Sequence, residues 1–480
     1  MLDFDELTAG EDAGTDAAAG TGAGANGGSG GSGGSGGDAG SGGAAASGGT
    51  AGNDGGPTCA EDCTDTDPCT VDSCDTGASP PRCTHTPAKS IVKDGISETL
   101  MADEVHRVTM TSASDAFYYT VFEQTNGSPE ITLYRLGATA AQSEELAKFS
   151  SFLGVLYQAR SAAGLIADTT AGLKVHGFVG LGNDVFHVVF DGTFSIDAAQ
   201  KTSISTTYDA SNPRRYPVAM RLATGEIVGA WINNDGTVSI GSATRTAVPL
   251  SNTAGRIGQI TPLASAGTPG VLFAGANSVN MQLLGAPAVP LTQCNTQLGV
   301  YTSAASTQVM PGFWISSWSK EGGLAANRFV LTEGKGILCA DAGCGAKQAC
   351  EGSEQATPGL RNPALASGVR PGDPAGTVLF ASVAPLVGPT EDGTGVTSAI
   401  ALIVQRTAFG ATPLQQPPVT DEIGSVELAR MPPVGAAQEG PDWPAVSILP
   451  PNKIAVAWVQ PAPNGSGDQL RLERYRICLP

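Results

Sequence analysis

Pro444-Ala445-Val446-Ser447-Ile448-Leu449-Pro450-Pro451-Asn452-Lys453-Ile454-Ala455-Val456-Ala457-Trp458 sets a proline ahead of an apolar run, a turn, and a second apolar run that ends in tryptophan. An alternating stretch, Leu470-Arg471-Leu472-Glu473, comes after it. The same order recurs from Pro217 to Trp231, again with a spacing of 14, where Ile227-Val228-Gly229-Ala230-Trp231 leads into a turn and Val238-Ser239-Ile240. Pro262 to Ala276 is a third copy, with Val271-Leu272-Phe273-Ala274 in register and alanine in place of the tryptophan. Three copies at a fixed internal spacing make a repeat, and a repeat is built of units that bury their faces only against neighbours.

Further units start near His106, Arg160, Pro311 and Pro363, so that successive starts are 54, 57, 45, 49, 52 and 81 residues apart. A period near 50 with about four short strands per unit is the size of a β-propeller blade. A four-stranded blade cannot cover both of its faces alone, so blades stack around a ring, and ring closure leaves only short edges exposed. Runs such as Ile454 to Trp458 fit strands covered on both faces, and Leu470-Arg471-Leu472-Glu473 fits an outer strand facing more solvent. Asn234-Asp235-Gly236-Thr237 is a tight-turn signal joining two strands of one blade. The fold class expected is therefore all-β, a seven-bladed β-propeller over residues 95–480, with six or eight blades as the alternatives.

Composition narrows the partners. Gly is 64 of 480 residues, only 15% are charged, and the net charge is −19. Up to Lys89 there are 14 acidic and two basic residues, a net of −12, which leaves −7 for the remainder. Such a chain lacks the basic footprint that nucleic acid or an anionic membrane surface requires. No stretch is long and apolar enough to be a transmembrane segment.

Residues 1–58 form a Gly/Ala/Ser/Asp-rich segment, including GGSGGSGGSGG from Gly27 to Gly37, with no apolar face to bury. Disorder is expected there, with a reach of about 40 Å for about 50 residues. Gly27-Gly28-Ser29-Gly30-Gly31 formally matches a nucleophile elbow, but that motif needs a strand before it and a helix after it, and this composition supports neither.

Five of the ten cysteines lie in residues 59–88, as Cys59-x3-Cys63-x5-Cys69-x4-Cys74-x8-Cys83. A segment this short cannot build a stable apolar core and needs staples, so a disulfide knot in an oxidising compartment is expected. Asp65, Asp67, Asp72 and Asp75 are candidate calcium ligands, although their spacing is not that of an EF-hand loop. A zinc site would have His85 as its only nearby imidazole. The segments Asp67-Pro68-Cys69-Thr70-Val71-Asp72-Ser73-Cys74-Asp75 and Cys83-Thr84-His85-Thr86-Pro87 resemble a Cys-rich spacer module of modular exported bacterial proteins, of the form DGxPCTxDxCDxxxGxCxHTP. The resemblance covers about 25 residues. It implies an extracytoplasmic spacer without catalytic activity. Thr66 replaces its glycine, Pro80-Pro81 lengthens its last loop, and Cys59 is additional.

Met1-Leu2-Asp3-Phe4-Asp5-Glu6 is acidic and lacks the apolar core of a secretory signal, at odds with the cysteine density. The expectation is a longer native form, exported and held at the cell surface by an N-terminal lipid anchor.

The remaining cysteines are Cys294, Cys339, Cys344, Cys350 and Cys478. Five on each side of residue 90 require at least one bond between module and ring if all pair. Ring closure would bring Cys478 near the module, and Cys59 is the expected partner. Cys294 is expected to pair with one of Cys339, Cys344 and Cys350, and the other two with each other.

Chemistry is sparse. The four histidines are His85, His106, His176 and His187, and the strand pattern around His187 marks a hydrogen-bonded structural residue. No HExxH pair, no phosphate-cradling loop outside the linker and no Ser-x-Asp-x-Gly-x-x-Trp box occurs. Asn233-Asn234-Asp235-Gly236 lacks the acidic positions of a calcium loop. Trp314 and Trp318 share one face if their segment is a strand. Trp443, between Pro441 and Pro444 in the region of a loop-to-strand junction, is the candidate for contact with a glycan, because sugars stack on exposed rings. 

No catalytic residue and no cofactor other than calcium is assigned. The function expected is a monomeric binding or scaffold module for surface glycans or proteins. The alternative is a secreted hydrolase or lyase whose carboxylates, among them Asp103, Glu104, Asp392 and Asp421, gather at the mouth of the ring.

Overall fold

The structure is a computed structural model. It describes Cys59, residues 63–65, Asp67 and residues 69–479, with the exception of 103, 126–127, 150–162, 182, 196–198, 209–216, 251–258, 266, 275–278, 291–299, 311–312, 325–327, 340–347, 358–363, 390–395, 410–418, 431–441 and 464–466. Between residues 300 and 357 it describes the backbone alone, Thr307 apart. The expected linker, residues 1–58, lies outside the described residues.

A hairpin of β1 (Thr70–Asp75) and β2 (Arg82–Pro87) comes first, followed by the long β3 (Ser90–Ala102). Blade 1 is β4 (Glu104–Ala113), β5 (Ala116–Thr125), β6 (Ser128–Gly137) and β7 (Glu144–Lys148). Blade 2 is β8 (Ala163–Asp168), β9 (Lys174–Leu181), β10 (Asp184–Phe190) and β11 (Gln200–Ser205). Blade 3 is β12 (Val218–Arg221), β13 (Ile227–Ile232), β14 (Val238–Gly241) and β15 (Val248–Pro249). Blade 4 is β16 (Gln259–Ser265), β17 (Thr268–Ala274), β18 (Val279–Leu283) and β19 (Val289–Pro290). Blade 5 is β20 (Val300–Met310), β21 (Phe313–Leu324), β22 (Arg328–Cys339) and β23 (Gln348–Thr357). Blade 6 is β24 (Ala364–Gly368), β25 (Thr377–Pro389), β26 (Val396–Ala408) and β27 (Val419–Arg430). Blade 7 is β28 (Asp442–Leu449), β29 (Lys453–Pro461) and β30 (Asp468–Cys478), completed by β3.

The seven sheets are four-stranded and antiparallel, and the first strand of each packs against the first strands of its neighbours in a closed cycle. The protein is thus a seven-bladed β-propeller, as the repeat predicts. The proline-led repeat falls on the first two strands of blades 3, 4 and 7. Pro262 lies inside β16 opposite Val271, and Pro444 lies in β28 at a register shift. A first strand has one edge toward the ring centre with no ladder partner, where the missing N–H of proline costs nothing.

The second strands form the core. β13 is buried at all six positions, and Ile454 to Trp458 in β29 are all buried. Trp231 and Trp458 repeat one detail: each indole N–H donates to the side-chain oxygen two residues on, Asn233 in one blade and Gln460 in the other, both at 3.1 Å. The amide satisfies the one polar atom of a ring that is otherwise wholly enclosed. Asn233 also donates to Ser239 and accepts from Thr207, so the predicted turn at Asn234–Thr237, with Gly236 at φ +80°, is tied down at its base.

Two expectations are corrected. Pro311 falls between β20 and β21 rather than ahead of blade 5, because β20 is rich in Ser, Thr and Ala and lacks the apolar run that marks other first strands. Leu470–Glu473 belongs to a third strand and not an outer one, since β3 pairs with β30 from Ser90↔Cys478 to Ala102↔Asp468 and covers it.

The ring is therefore closed by a strand from before blade 1. Asp94 of β3 accepts from Lys453 at 2.8 Å and from the buried Arg474 at 3.1 Å. Arg474 also donates to the carbonyls of Gly137 and Ala140 in blade 1. Lys93 and Ser97 donate to the buried Glu473, whose other carboxylate oxygen receives the Tyr475 hydroxyl. Burial dominates the upward shift of the Tyr475 phenol, and this bond adds to it.

Candidate functional site

The module is pinned by three disulfides: Cys59–Cys74, Cys63–Cys83 and Cys69–Cys478. The bridge to Cys478 comes from Cys69, which corrects the expectation of Cys59. The amide of Ala88 donates to the carbonyl of Cys69 at 2.8 Å, so Cys69 stands beside the exit of the hairpin into β3, whose first residue pairs with Cys478. Cys59 is ten residues upstream and is held by β1 instead. Two ion pairs flank the bridge, Asp67 with Arg476 at 3.1 Å and Lys89 with Asp421. Cys294 and Cys344 lie outside the described residues, and Cys339 and Cys350 are placed by backbone only, in β22 and β23.

The four aspartates proposed as calcium ligands do not converge. Asp75 accepts from Gly77 and faces Arg82 at the far end of the hairpin, and Asp67 is turned to Arg476 and to the amide of Cys69. Asp65 and Asp72 do meet, with His85 rather than with the other two. His85 Nδ1 lies 2.8 Å from Asp72 Oδ1 and 3.1 Å from Asp65 Oδ2. The hydrogen bond with Asp72 holds the imidazole pKa above its usual value, and the same bond, joined by one from the Asp65 amide, holds the Asp72 carboxyl below its own. The ligand atoms of Asp65, Asp72 and His85 lie within 4.8 Å of one another, so the cluster has the composition of a metal site as well as of a hydrogen-bonded loop closure.

Of the four carboxylates proposed for the mouth, Asp421 is the one whose side chain is described, and it lies away from the centre. Asp421 sits on the fourth strand of blade 6, paired with Lys89 beside the module. Strand spacing of about 4.8 Å puts a fourth strand roughly 14 Å from the first, too far to reach the centre. Asp103 and Asp392 lie outside the described residues, and Glu104 is placed by backbone only, in β4. Trp443 opens β28, inside the register shift between Asp442 and Ala445, with its side chain outside the description. Trp314 and Trp318 fall on β21 with even spacing, hence on one face, again by backbone only.

Elsewhere the charges are matched at strand ends. Arg221 bonds Asp168 at 2.9 Å, Arg245 grips Glu226 with two nitrogens, and Arg406 bonds Asp373 at 2.7 Å. Burial opposes ionisation of Asp168, but the hydroxyl and amide of Thr170 and the Arg221 guanidinium overturn it and bring the pKa to about 2. Asp168 therefore accepts hydrogen bonds at neutral pH and has no proton to give.

Two groupings escaped the sequence reading. Glu123 of β5 is cross-strand partner to Glu130 of β6. Burial pushes its carboxyl up, Lys148 works against this, and Glu130 and Glu145 add to it. The other is His176 with His187, whose Nδ1 and Nε2 lie 3.0 Å apart in blade 2. His187 is a hydrogen-bonded strand residue as expected, here buried, but the pairing was hidden. The signal available was position, since the two histidines flank one hairpin, β9–β10, whose register sets His176 diagonal to His187.

No protein-family model matches the chain, and no curated protein matches it. Solved structures with a similar backbone include the N-terminal domain of Nup159, with a TM-score of 0.41 and 9% identity over 81% of this chain and 97% of that one. An α-L-arabinofuranosidase of Fusarium graminearum with arabinobiose has a TM-score of 0.40 and 10% identity, over 81% and 97%. The NanB sialidase from Streptococcus pneumoniae has a TM-score of 0.37 and 11% identity, over 79% and 68%. Likenesses this weak carry no argument about activity or ligand. Among the described residues, no helix is long and apolar enough to cross a membrane.

Proposed function

We propose that the protein is an exported, surface-tethered propeller that binds an envelope or environmental glycan or protein and presents it at the end of its acidic N-terminal linker. The observation that carries this reading is the clamp between module and ring, in which one disulfide and two ion pairs fix the module to the rim at blades 6 and 7. A freely acting enzyme gains nothing from a fixed angle to its tether, whereas a display module needs one. Structural disulfides persist in oxidising compartments, which supports export.

The test is binding of the fluorescently labelled, oxidised full chain to an array of bacterial and plant polysaccharides, with calcium and with chelator. Saturable binding without cleavage is the expected result, and loss on chelation would make calcium part of the site. A Trp443→Ala variant with full binding would remove that ring from the contact.

One observation favours a hydrolase as the second reading. A glycosidase works with a pair of carboxyl groups, one of them raised in pKa by its surroundings, and Glu123, whose carboxyl burial pushes up, is the cross-strand partner of Glu130. If the array shows cleavage, Glu123→Gln should abolish it and leave binding intact. Cleavage unaffected by this change would dismiss the pair.

A further inference from the structure

The faces between blades are not alike. Large apolar clusters join blades 1 and 2, 3 and 4, 6 and 7, and 7 and 1. Between blades 2 and 3, among the described residues, one small buried apolar group is formed by Val185, Tyr208 and Trp231, with Ile204 and Ala247 at its margin, and Phe178 packs on Gly229 beside it. Contact there relies on bare backbone. A Cβ on Gly229 would fall 2.1 Å from the ring of Phe178, one on Gly180 2.4 Å from the ring of Tyr208, and one on Gly164 2.6 Å from the carbonyl of Pro217.

The polar contents of this seam are ordered. The amide of Ala243, in blade 3, donates to His187 Nδ1 at 3.1 Å. Nδ1 is therefore an acceptor, and the neutral ring carries its proton on Nε2, which donates to His176 Nδ1 at 3.0 Å. By the same step His176 carries its proton on Nε2, which is buried and meets no partner among the described residues. Phe178 stacks on His187 with ring centroids 4.3 Å apart. A single added proton breaks the chain. On His187 Nδ1 it would point at the Ala243 amide, donor against donor, and on His176 Nδ1 it would meet the N–H of His187.

We propose that the seam between blades 2 and 3 is an acid-sensitive joint of the ring, which opens when the His187–His176 pair takes up a proton while the four apolar seams stay closed.

The surrounding charges agree with this assignment. His176 faces Asp168 of β8, Lys174 of its own strand and Arg221 of β12, and Arg221 is already bonded to Asp168. Opposite His187 on β11 stands Thr202, with Lys201 next to it. Beyond Ala243 lies Arg245, matched to Glu226. Among the described residues Asp168 is thus the carboxylate that favours a proton on the pair, and the cations oppose it. Burial is the main cause that brings both imidazoles to about 4, with Lys174 and Arg221 adding to it for His176 and His176 for His187. A histidine with a depressed folded pKa stabilises the closed seam above its open-state value of about 6.5, and that contribution is lost as pH falls through 4.

The experiment is hydrogen exchange of the oxidised full chain at about pH 7, 5 and 4, corrected for intrinsic rates and read by peptide. Residues 163–190 and 218–241 should lose protection by at least tenfold on acidification, relative to residues 116–137, 268–283 and 453–478. Uniform loss across all blades would overturn the proposal. In a His176→Gln/His187→Gln variant the difference between blades should no longer depend on pH, and persistence of the dependence would also overturn it. If that variant does not fold, the histidine ring resonances of the wild type decide. Two of the four should remain neutral at pH 6 and titrate with the loss of protection, whereas ordinary titration near 6.5 with an intact seam would refute the joint.

Discussion

Replacing Cys69 by Ser together with Cys478 by Ala removes the bond that ties the module to the last strand. The bond spans a sequence separation of 409. In the chain-entropy relation, a loop of that length lowers the entropy of the unfolded chain by roughly 20 cal/mol/K, or about 6 kcal/mol at 25 °C, just above the usual upper limit of about 5. The Cys59–Cys74 bond, with a separation of 15, is worth about 3 kcal/mol by the same relation, and it constrains the module alone. The ring should still close in the Cys69/Cys478 variant, because β3 keeps its pairing with β30 and Asp94 keeps Lys453 and Arg474. Urea unfolding followed by tryptophan fluorescence reports on the ring, since Trp231 and Trp458 are both fully buried. The expected outcome is native far-UV dichroism with about 3–6 kcal/mol less stability for the variant. A Cys59→Ser/Cys74→Ser control should leave the ring transition within about 1 kcal/mol of wild type. A loss below about 1 kcal/mol in the Cys69/Cys478 variant would refute the reasoning, because the unfolded state would then not feel the long loop.

Gly229→Ala puts a methyl group 2.1 Å from the Phe178 ring, so that blades 2 and 3 must separate. Thermal unfolding should show a loss of about 3 kcal/mol or more, against about 1 kcal/mol for ordinary overpacking. Asp94→Ala leaves Lys453 and the buried Arg474 without their shared carboxylate, and the cost expected from urea unfolding is about 3 kcal/mol. Asp168, at about 2, contributes stability that is complete above its unfolded value near 3.8 and is lost as pH falls through 2. Arg221→Met should move its titration upward, read by NMR of the carboxyl carbon, and an unmoved titration would assign the shift to Thr170 alone.

The ring was legible because its second strands repeat one physical demand. Residues covered on both faces must be apolar, and the tryptophans at 231 and 458 carried that pattern at a fixed distance from a proline that only a channel-edge strand tolerates. Blade 5 was misplaced for the converse reason, since Val300–Met310 is too polar to announce itself. The need for a bond between module and ring followed from two odd counts of cysteine, but its partner did not. Spacing could not show that the hairpin brings Cys69, and not Cys59, back to the point where β3 departs. The His176–His187 pair and the Glu123–Glu130 pair were not legible because each depends on a cross-strand register, which is fixed by hydrogen bonding between strands and not by order along one of them.

The covalent lock and the proposed joint lie in different parts of the ring, and their separation has a consequence. Blade 7 is assembled from both ends of the folded chain, so parting β3 from β30 inside that blade would open the ring and release the termini, which the Cys69–Cys478 bond would still hold. Along that edge Asp94 of β3 holds Lys453 of β29 and Arg474 of β30, and the apolar cluster around Tyr119 and Leu472 packs blade 7 against blade 1. Seam 2/3 joins blades that are consecutive in sequence, so its parted faces remain linked by the twelve residues between β11 and β12 and by the rest of the locked ring. Reclosure there is an intramolecular event with a short loop, costing little chain entropy. A ring that yields to acid at seam 2/3 therefore returns when the pH rises, and one that yielded between β3 and β30 without the disulfide would lose its register. The lock is needed where the chain is discontinuous, and a weak seam is tolerable where it is continuous.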